Sequence, residues 1–168
     1  MNRYCRNVAL LCGLALAASP AAYASSSGGS SGGGGQGQVS RIAQPLARAR
    51  ELIAASQWPA ALEELRRVDA ARDPDWNNLM GYVLRRMDPP DLAGAESYYS
   101  AALAIDPKHR PTLEYQGELR LQQGDLAGAE RNLAALKRAT FFKSEEFKDL
   151  ERAIASYRAA GNRYIPQS

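Results

Sequence analysis

A six-residue segment that occurs twice constrains the fold of this chain more than any other feature. Residues 91–96 read Asp-Leu-Ala-Gly-Ala-Glu, and residues 125–130 repeat them without a change, 34 positions later. A further step of 34 towards the N-terminus reaches residues 57–62, where Trp58 takes the place of Leu92 and Ala61 that of Ala95. Self-similarity at one fixed spacing of this length is typical of repeat architectures. We therefore expect three copies of one structural unit.

Each copy carries apolar residues at the spacing of one helix face. Ala61, Ala95 and Ala129 are each followed by apolar residues four and seven positions later, which predicts one buried stripe per helix. Partner segments of similar length lie at residues 45–56, 74–87 and 111–123. The sequence thus predicts three helical hairpins, at about residues 45–72, 74–106 and 111–139.

Capping residues support these boundaries. Asp73, Asp91 and Asp125 suit the N-cap position, where a short polar side chain accepts a hydrogen bond from a free backbone N–H group. Pro74 follows at the first helical position, which the fixed φ angle of proline favours. Gly124 suits the turn that ends a helix. Both ends of these helices are therefore marked in the sequence.

A last helix is predicted from Ser144 to about Ala160, with Gly161 as its end. Its apolar residues recur at intervals of three and four on one face: Phe147, Leu150, Ile154 and Tyr157. Charged residues cover its other faces, as expected of a helix that shields the end of a stack of repeats. We expect a capping helix, with Phe141 and Phe142 packed beneath it.

These features resemble the tetratricopeptide repeat (TPR) family, whose 34-residue hairpins carry a small residue in each first helix and an alanine in each second helix. The small first-helix residues here are Ala49, Gly81 and Gly117. Gln116 and Arg120 depart from the pattern, since apolar residues are usual at their positions. A narrower resemblance, to secreted bacterial members of the family, is carried by residues 78–82, 98–99, 101–107 and 114–119. The resemblance implies an all-α fold, an α-solenoid of three hairpins closed by the capping helix.

The resemblance also implies where a partner binds. TPR proteins turn their first helices towards a concave side, and such surfaces bind extended peptides or helices. The expected partner-binding residues are Arg50 from the first hairpin, Asn78, Tyr82, Arg85 and Arg86 from the second, and Glu114, Tyr115, Glu118 and Gln122 from the third. Tyrosine and arginine dominate the binding energy of many interfaces. The alternative is an ordinary polar face with an incidental salt bridge between Arg85 and Glu118.

The first 24 residues have the order of a secretory signal peptide. Arg3 and Arg6 precede an apolar run at residues 8–18, and Ala22 and Ala24 form the small-residue pattern that signal peptidase recognises. The run is too short to span a bilayer, which needs about 20 apolar residues. We expect cleavage after Ala24, a periplasmic or secreted mature chain, and no membrane span after cleavage.

The composition limits the chemistry of the mature chain. Residues 25–40 are Ser, Gly and Gln with one Val, which predicts a disordered linker ahead of a helical domain at residues 41–168. Cleavage removes both cysteines and two arginines, which lowers the formal net charge from +3 to +1. With His109 as the single histidine, no zinc-ligand set remains, and we expect no metal and no other cofactor. We expect His109 itself to lie in a solvent-exposed turn.

The sequence favours a non-enzymatic scaffold of the bacterial periplasm or cell envelope, which binds a peptide or helix of another envelope protein. Basic and acidic residues are interspersed, which argues against nucleic acid as a partner. No nucleophile with an adjacent base and no phosphate-binding loop is recognisable. Two alternatives stay open: an enzyme or binder of cell-wall fragments that uses Tyr82, Glu114 and Glu118, or a structural module that associates with further copies of itself.

Overall fold

The computed structural model describes residues 39–140 and 142–165, with side chains from Leu46 onward. Within these ranges the chain is all-helical and contains no β-strand. The described residues form seven helices: α1 Val39–Ala54, α2 Trp58–Val68, α3 Pro74–Arg86, α4 Leu92–Ile105, α5 Arg110–Gln122, α6 Leu126–Ala139 and α7 Glu145–Ala159. None of these helices is both long enough and apolar enough to cross a membrane. The predicted signal peptide and nearly all of the predicted linker lie outside the described residues.

The first helix begins earlier than the sequence predicted. The prediction placed its start at Pro45, because proline suits the first helical turn. In the structure α1 begins at Val39, so Pro45 lies within the helix and the last two residues of the predicted linker are helical. Pro45 is the seventh residue of α1 and lies beyond its first turn, so the missing N–H removes the hydrogen bond to the carbonyl of Arg41. The helix continues across this position with one backbone hydrogen bond fewer.

The predicted caps are confirmed. The carboxylates of Asp73, Asp91 and Asp125 each accept a hydrogen bond from the backbone N–H three residues later, at 3.0, 2.8 and 2.8 Å. The Ser144 hydroxyl accepts one in the same way at the start of α7, at 3.3 Å. Gly124 adopts a left-handed φ of +81° after α5, a conformation that glycine tolerates best. Local hydrogen bonding thus sets these helix ends.

Successive helices pack against each other, so that α1 with α2, α3 with α4 and α5 with α6 form three helical pairs. Alternate helices also touch: α1 contacts α3, α3 contacts α5, and α5 contacts α7. The first helices of the pairs and α7 therefore lie side by side. Because α3 and α5 each have a helix on both sides, their middle turns are buried. Every residue of 76–83 and of 112–119 is buried.

Two hydrophobic clusters fill the space between the helices. The first joins residues of α1 to α4 with Tyr115 and Leu119 of α5. The second joins α5, α6 and α7. It contains the whole predicted apolar face of α7, namely Phe147, Leu150, Ile154 and Tyr157, all of which are buried. The prediction of that face is confirmed, and α7 covers the apolar side of the third helical pair.

Phe142 does not pack beneath α7, and that prediction is wrong. Its side chain is 87% exposed, while Phe141 lies outside the described residues. Lys143 lies against the helix instead, with its Nζ 5.0 Å from the centroid of the Phe147 ring. The same ammonium pairs with Glu151 at 3.1 Å. A cation–π contact and an ion pair thus fix Lys143 against α7, while the neighbouring Phe142 side chain remains exposed.

Gly81 marks a close approach between α3 and α4. A Cβ atom at this position would lie 2.7 Å from Tyr99 Cε1 and 3.0 Å from the carbonyl oxygen of Ala95. Separations this short are repulsive, so only glycine fits without a shift of the neighbouring atoms. The small residue of the first helix and the alanine of the second, on which the family resemblance rests, therefore meet in the structure.

Candidate functional site

Three aromatic side chains form a row across α2, α3 and α5. Trp58 meets Tyr82 edge-on, with ring centroids 6.0 Å apart, and Tyr82 meets Tyr115 with centroids 4.8 Å apart. Aromatic pairs at such distances contribute about 0.5–1.5 kcal/mol beyond the burial of their area. We call these three residues the aromatic row. Two of them, Tyr82 and Tyr115, are among the predicted partner-binding residues.

An ion pair lies beside the aromatic row. Arg85 Nη2 donates to Glu118 Oε2 at 2.6 Å, and the two side chains are 3% and 11% exposed. The guanidinium carbon of Arg85 lies 5.8 Å from the centroid of the Tyr82 ring and 5.9 Å from that of Tyr115. The Arg85–Glu118 bridge of the alternative interpretation is therefore present, but in the interior. We call Tyr82, Arg85, Tyr115 and Glu118 together the Arg85 cluster.

Arg85 does not use all of its hydrogen-bond donors. Its Nε and Nη1 atoms are buried and have no hydrogen-bond partner in the part of the chain that the structure describes. Leaving a buried donor unsatisfied costs about 1–3 kcal/mol. Burial is the largest single influence and lowers the pKa of Arg85, but Glu118, Tyr99 and Tyr164 together raise it, so the pKa lies above its ordinary value. Arg85 therefore stays charged and paired with Glu118, and two of its buried nitrogen donors have no partner among the described residues.

A polar network connects equivalent positions of the second and third helical pairs. His109 Nε2 lies 3.1 Å from Asp75 Oδ1, and the Thr112 hydroxyl donates to Asn78 Oδ1 at 3.1 Å; both contacts span 34 residues. His109 Nδ1 lies 2.7 Å from Thr112 Oγ1, and Arg50 Nη2 donates to Asp75 Oδ2 at 3.0 Å. The hydrogen bond with His109 is the main cause that lowers the pKa of Asp75. The repeat length of the sequence thus recurs as contacts between successive pairs.

The prediction that His109 is solvent-exposed is wrong, because its side chain is only 12% exposed. His109 is the N-cap residue of α5, and its ring reaches back to the start of α3. The residues around His109 predicted the start of a helix. They gave no indication that the third helical pair packs against the second at this point. The 34-residue spacing of Asp75 and His109 is the signal from which the contact could have been found.

The hydroxyl–imidazole–carboxylate arrangement of Thr112, His109 and Asp75 does not offer a nucleophile. Thr112 is fully buried, and its hydroxyl donates to Asn78. A nucleophile must reach a substrate atom, with its proton directed to a base. The geometry therefore fits a structural link between helical pairs.

The two departures from the family pattern form a separate polar cluster. Gln116 Nε2 and Arg120 Nη2 both donate to Glu96 Oε1, at 3.0 and 2.6 Å. Asn132 donates to Gln116 Oε1 at 3.0 Å. Because the polar atoms of Gln116 and Arg120 find partners on α4 and α6, polar side chains are tolerated where apolar ones are usual.

The nine predicted partner-binding residues differ in exposure. Six are buried in the folded chain, which differs from the expected open face: Asn78, Tyr82, Arg85, Glu114, Tyr115 and Glu118. They lie on α3 and α5, which have helices on both sides and a paired helix behind. Arg50, Arg86 and Gln122 are partly exposed. Arg86 lies with its guanidinium carbon 5.1 Å from the centroid of the Trp58 ring, so it extends the aromatic row towards solvent.

Other ligand chemistries find little support in the described residues. Within residues 39–140 and 142–165, no three His, Cys, Asp or Glu side chains lie close enough together to hold a metal ion. No protein-family model and no curated protein matches the chain.

Proposed function

We propose that this chain is a TPR-type α-solenoid of three hairpins with a capping helix, and that it serves as a non-enzymatic interaction scaffold of the bacterial periplasm or cell envelope. It binds a peptide or helical segment of another envelope protein along α1, α3 and α5. The side-by-side contacts of α1, α3, α5 and α7 support the solenoid, as do the contacts 34 residues apart. The order of residues 1–24, which is that of a secretory signal peptide, supports the location.

The observation that carries the binding proposal is the Arg85 cluster beside the aromatic row. Protein interfaces concentrate their binding energy in tryptophan, tyrosine and arginine side chains that pack together. Here these residue types come from three different helices, and Arg85 retains two donor nitrogens that no described residue uses. Arg86 supplies a partly exposed cation at the edge of the row. The partly exposed edge of the row, formed by Trp58 and Arg86, is the part that can contact a segment of protein chain.

Reversal of one charge tests this proposal. Arg86→Glu changes the partly exposed end of the row without altering the buried ion pair. We expect it to lower partner recovery from an envelope extract about ten-fold, the effect of losing one moderate hot spot. The matched control is Arg66→Glu on α2, whose side chain is exposed and pairs with Glu63 in the same helix. Equal recovery with both variants would remove α3 from the binding surface.

A further inference from the structure

The connections that precede α3, α5 and α7 lie in a row along one edge of the molecule. His109 Nε2 lies 3.1 Å from Asp75 Oδ1, which places the start of α5 beside the start of α3. Arg110 Nε lies 3.9 Å from Glu146 Oε1, which places the start of α7 beside the start of α5. The row therefore has two ends and a middle. We call residues 69–75, 105–110 and 137–143 the turn edge.

The charge of the turn edge changes sign from one end to the other. Residues 69–75 contain three aspartates and one arginine, whereas residues 137–143 contain three basic residues and no acidic one. The middle, residues 105–110, contains both signs. An edge of this kind is complementary to a second copy of itself that runs in the opposite direction.

The charges that distinguish the two ends are available for a contact. Asp69 at the acidic end and Lys137 and Arg138 at the basic end are exposed, and none of them forms an ion pair with another described residue. Lys143 differs, because its ammonium already pairs with Glu151. Attraction between the two ends therefore depends on Asp69, Lys137 and Arg138.

The turn edge also carries exposed apolar side chains. Three large hydrophobic side chains are exposed in the part of the chain that the structure describes, and two of them lie here. Phe142 is at the basic end, and Ile105, which is 43% exposed, is in the middle. The third, Ile165, follows the far end of α7. Exposed apolar groups beside complementary charges are typical of a surface that associates.

A cavity at the acidic end has room for the Phe142 ring. Residues 69–74 line an open cavity of about 530 Å³, in which Ala70, Ala71 and Pro74 supply the apolar side chains. Pockets that hold whole small molecules measure about 300–1,000 Å³, so a single aromatic ring fits. The projecting ring and the cavity thus lie at opposite ends of the same edge.

We propose that two copies of this chain pair through the turn edge about a two-fold axis, with Phe142 of each copy in the cavity at residues 69–74 of the other. Under a two-fold axis, each contact that one copy makes is made in reverse by the other. Lys137 and Arg138 of one copy then face Asp69 of the other, and Ile105 lies near the axis. The pairing goes beyond the proposed function, and it uses the other end of α3 from Arg86.

Sedimentation equilibrium measures this pairing, on the chain purified from the cells that produce it, from micromolar to millimolar concentration. We expect the mass to rise from one copy to two and to stop there, because a two-fold contact closes. Phe142→Ala should weaken the dimer at least a hundred-fold, since each dimer loses two buried rings and each ring is worth about ten-fold or more. The matched control is Ile165→Ala, which removes an exposed apolar side chain outside the turn edge and should leave the association constant unchanged.

An exchange of charges tests which ends meet. Asp69→Lys, or Lys137→Asp together with Arg138→Asp, places like charges at both contacts of a dimer, so each variant alone should be monomeric. In a mixture of the two variants both contacts are again between opposite charges. A heterodimer should therefore form about as strongly as the dimer of the unchanged chain. Its formation also shows that both variants are folded.

Several results would overturn the proposal. These are an unchanged chain that stays monomeric at millimolar concentration, a Phe142→Ala chain that still dimerises, a mixture of charge variants that does not associate, or growth beyond two copies. If the chain is monomeric and Phe142→Ala lowers partner recovery from an envelope extract, the basic end binds another protein and the two-fold pairing falls. The outcome for Arg86→Glu is separate, because that residue lies outside the turn edge.

Discussion

The close approach of α3 and α4 at Gly81 leads to a prediction that opposes helix propensity. Alanine is a better helix former than glycine by about 1 kcal/mol in a helix interior, so Gly81→Ala would stabilise an unpacked helix. In the folded chain the new methyl would lie 2.7 Å from Tyr99 Cε1 and 3.0 Å from the Ala95 carbonyl oxygen. Tyr99 is fully buried and the carbonyl belongs to a helix backbone, so neither can move freely.

Overpacking of this kind costs about 1–3 kcal/mol, and the backbone contact favours the upper part of that range. After the gain in propensity, we expect Gly81→Ala to lower the free energy of unfolding by about 1–2 kcal/mol. Gly117→Ala is the matched comparison, because the nearest atoms to its methyl all belong to the Leu150 side chain, with Cδ2 at 2.6 Å, and none belongs to a backbone. Leu150 is also fully buried, but a side-chain contact relaxes more readily than a contact with a helix backbone, so we expect Gly117→Ala to cost less than Gly81→Ala.

Urea unfolding followed by circular dichroism measures both variants against the unchanged chain. The expected order of stability is unchanged chain, then Gly117→Ala, then Gly81→Ala. A Gly81→Ala chain that is as stable as the unchanged chain, or more stable than Gly117→Ala, would refute the reasoning that α3 and α4 are in backbone contact at this point.

Three further predictions concern contacts between helices. The pKa of Asp75 is lowered in the folded chain, chiefly by its hydrogen bond with His109. The ionised form of Asp75 therefore stabilises the fold above the unfolded aspartate pKa of about 3.9. This stabilisation is lost as the pH falls through the lower pKa of the folded state. Asp75→Asn should therefore flatten the acid side of the stability profile in thermal unfolding scans, and an unchanged profile would argue against the contact. Leu150→Ala empties a fully buried position at the centre of α7 and should cost about 2–5 kcal/mol in urea unfolding; a loss below about 1 kcal/mol would mean that α7 does not close the stack. Glu118→Ala leaves Arg85 buried without its counter-charge and should cost about 3–5 kcal/mol by the same measurement, whereas a loss typical of a surface pair, below about 1 kcal/mol, would show that the pair is solvated.

The sequence predicted the helices well because their signals are local. A capping side chain bonds to the backbone three residues later, and a turn glycine is needed where φ is positive, so both can be identified without knowing the fold. Pro45 shows the limit of such rules, since the predicted helix began at this proline but in the structure it is the seventh residue of α1. The helix type was therefore predictable, and one boundary was not.

Exposure was harder to predict, because it depends on contacts between helical pairs. His109 has the sequence surroundings of a turn, yet its ring lies against Asp75 of the preceding pair. The family resemblance could assign Tyr82 and Glu118 to the first helices, but their burial follows from the packing of α3 and α5 among their neighbours. No local pattern in the sequence indicates that Tyr164, beyond α7, packs against the second hydrophobic cluster.

Site-specific photo-cross-linking tests the central claim, that the first helices bind a segment of a partner, most directly. Gln122 is partly exposed at the end of α5, and p-benzoylphenylalanine in its place would lie on the proposed binding surface. Arg131 on α6, whose side chain is 72% exposed, gives a control position on a second helix. Irradiation of cells that produce each chain should give a discrete adduct from position 122 and none from position 131. No adduct from position 122, or the same adducts from both positions, would contradict the account.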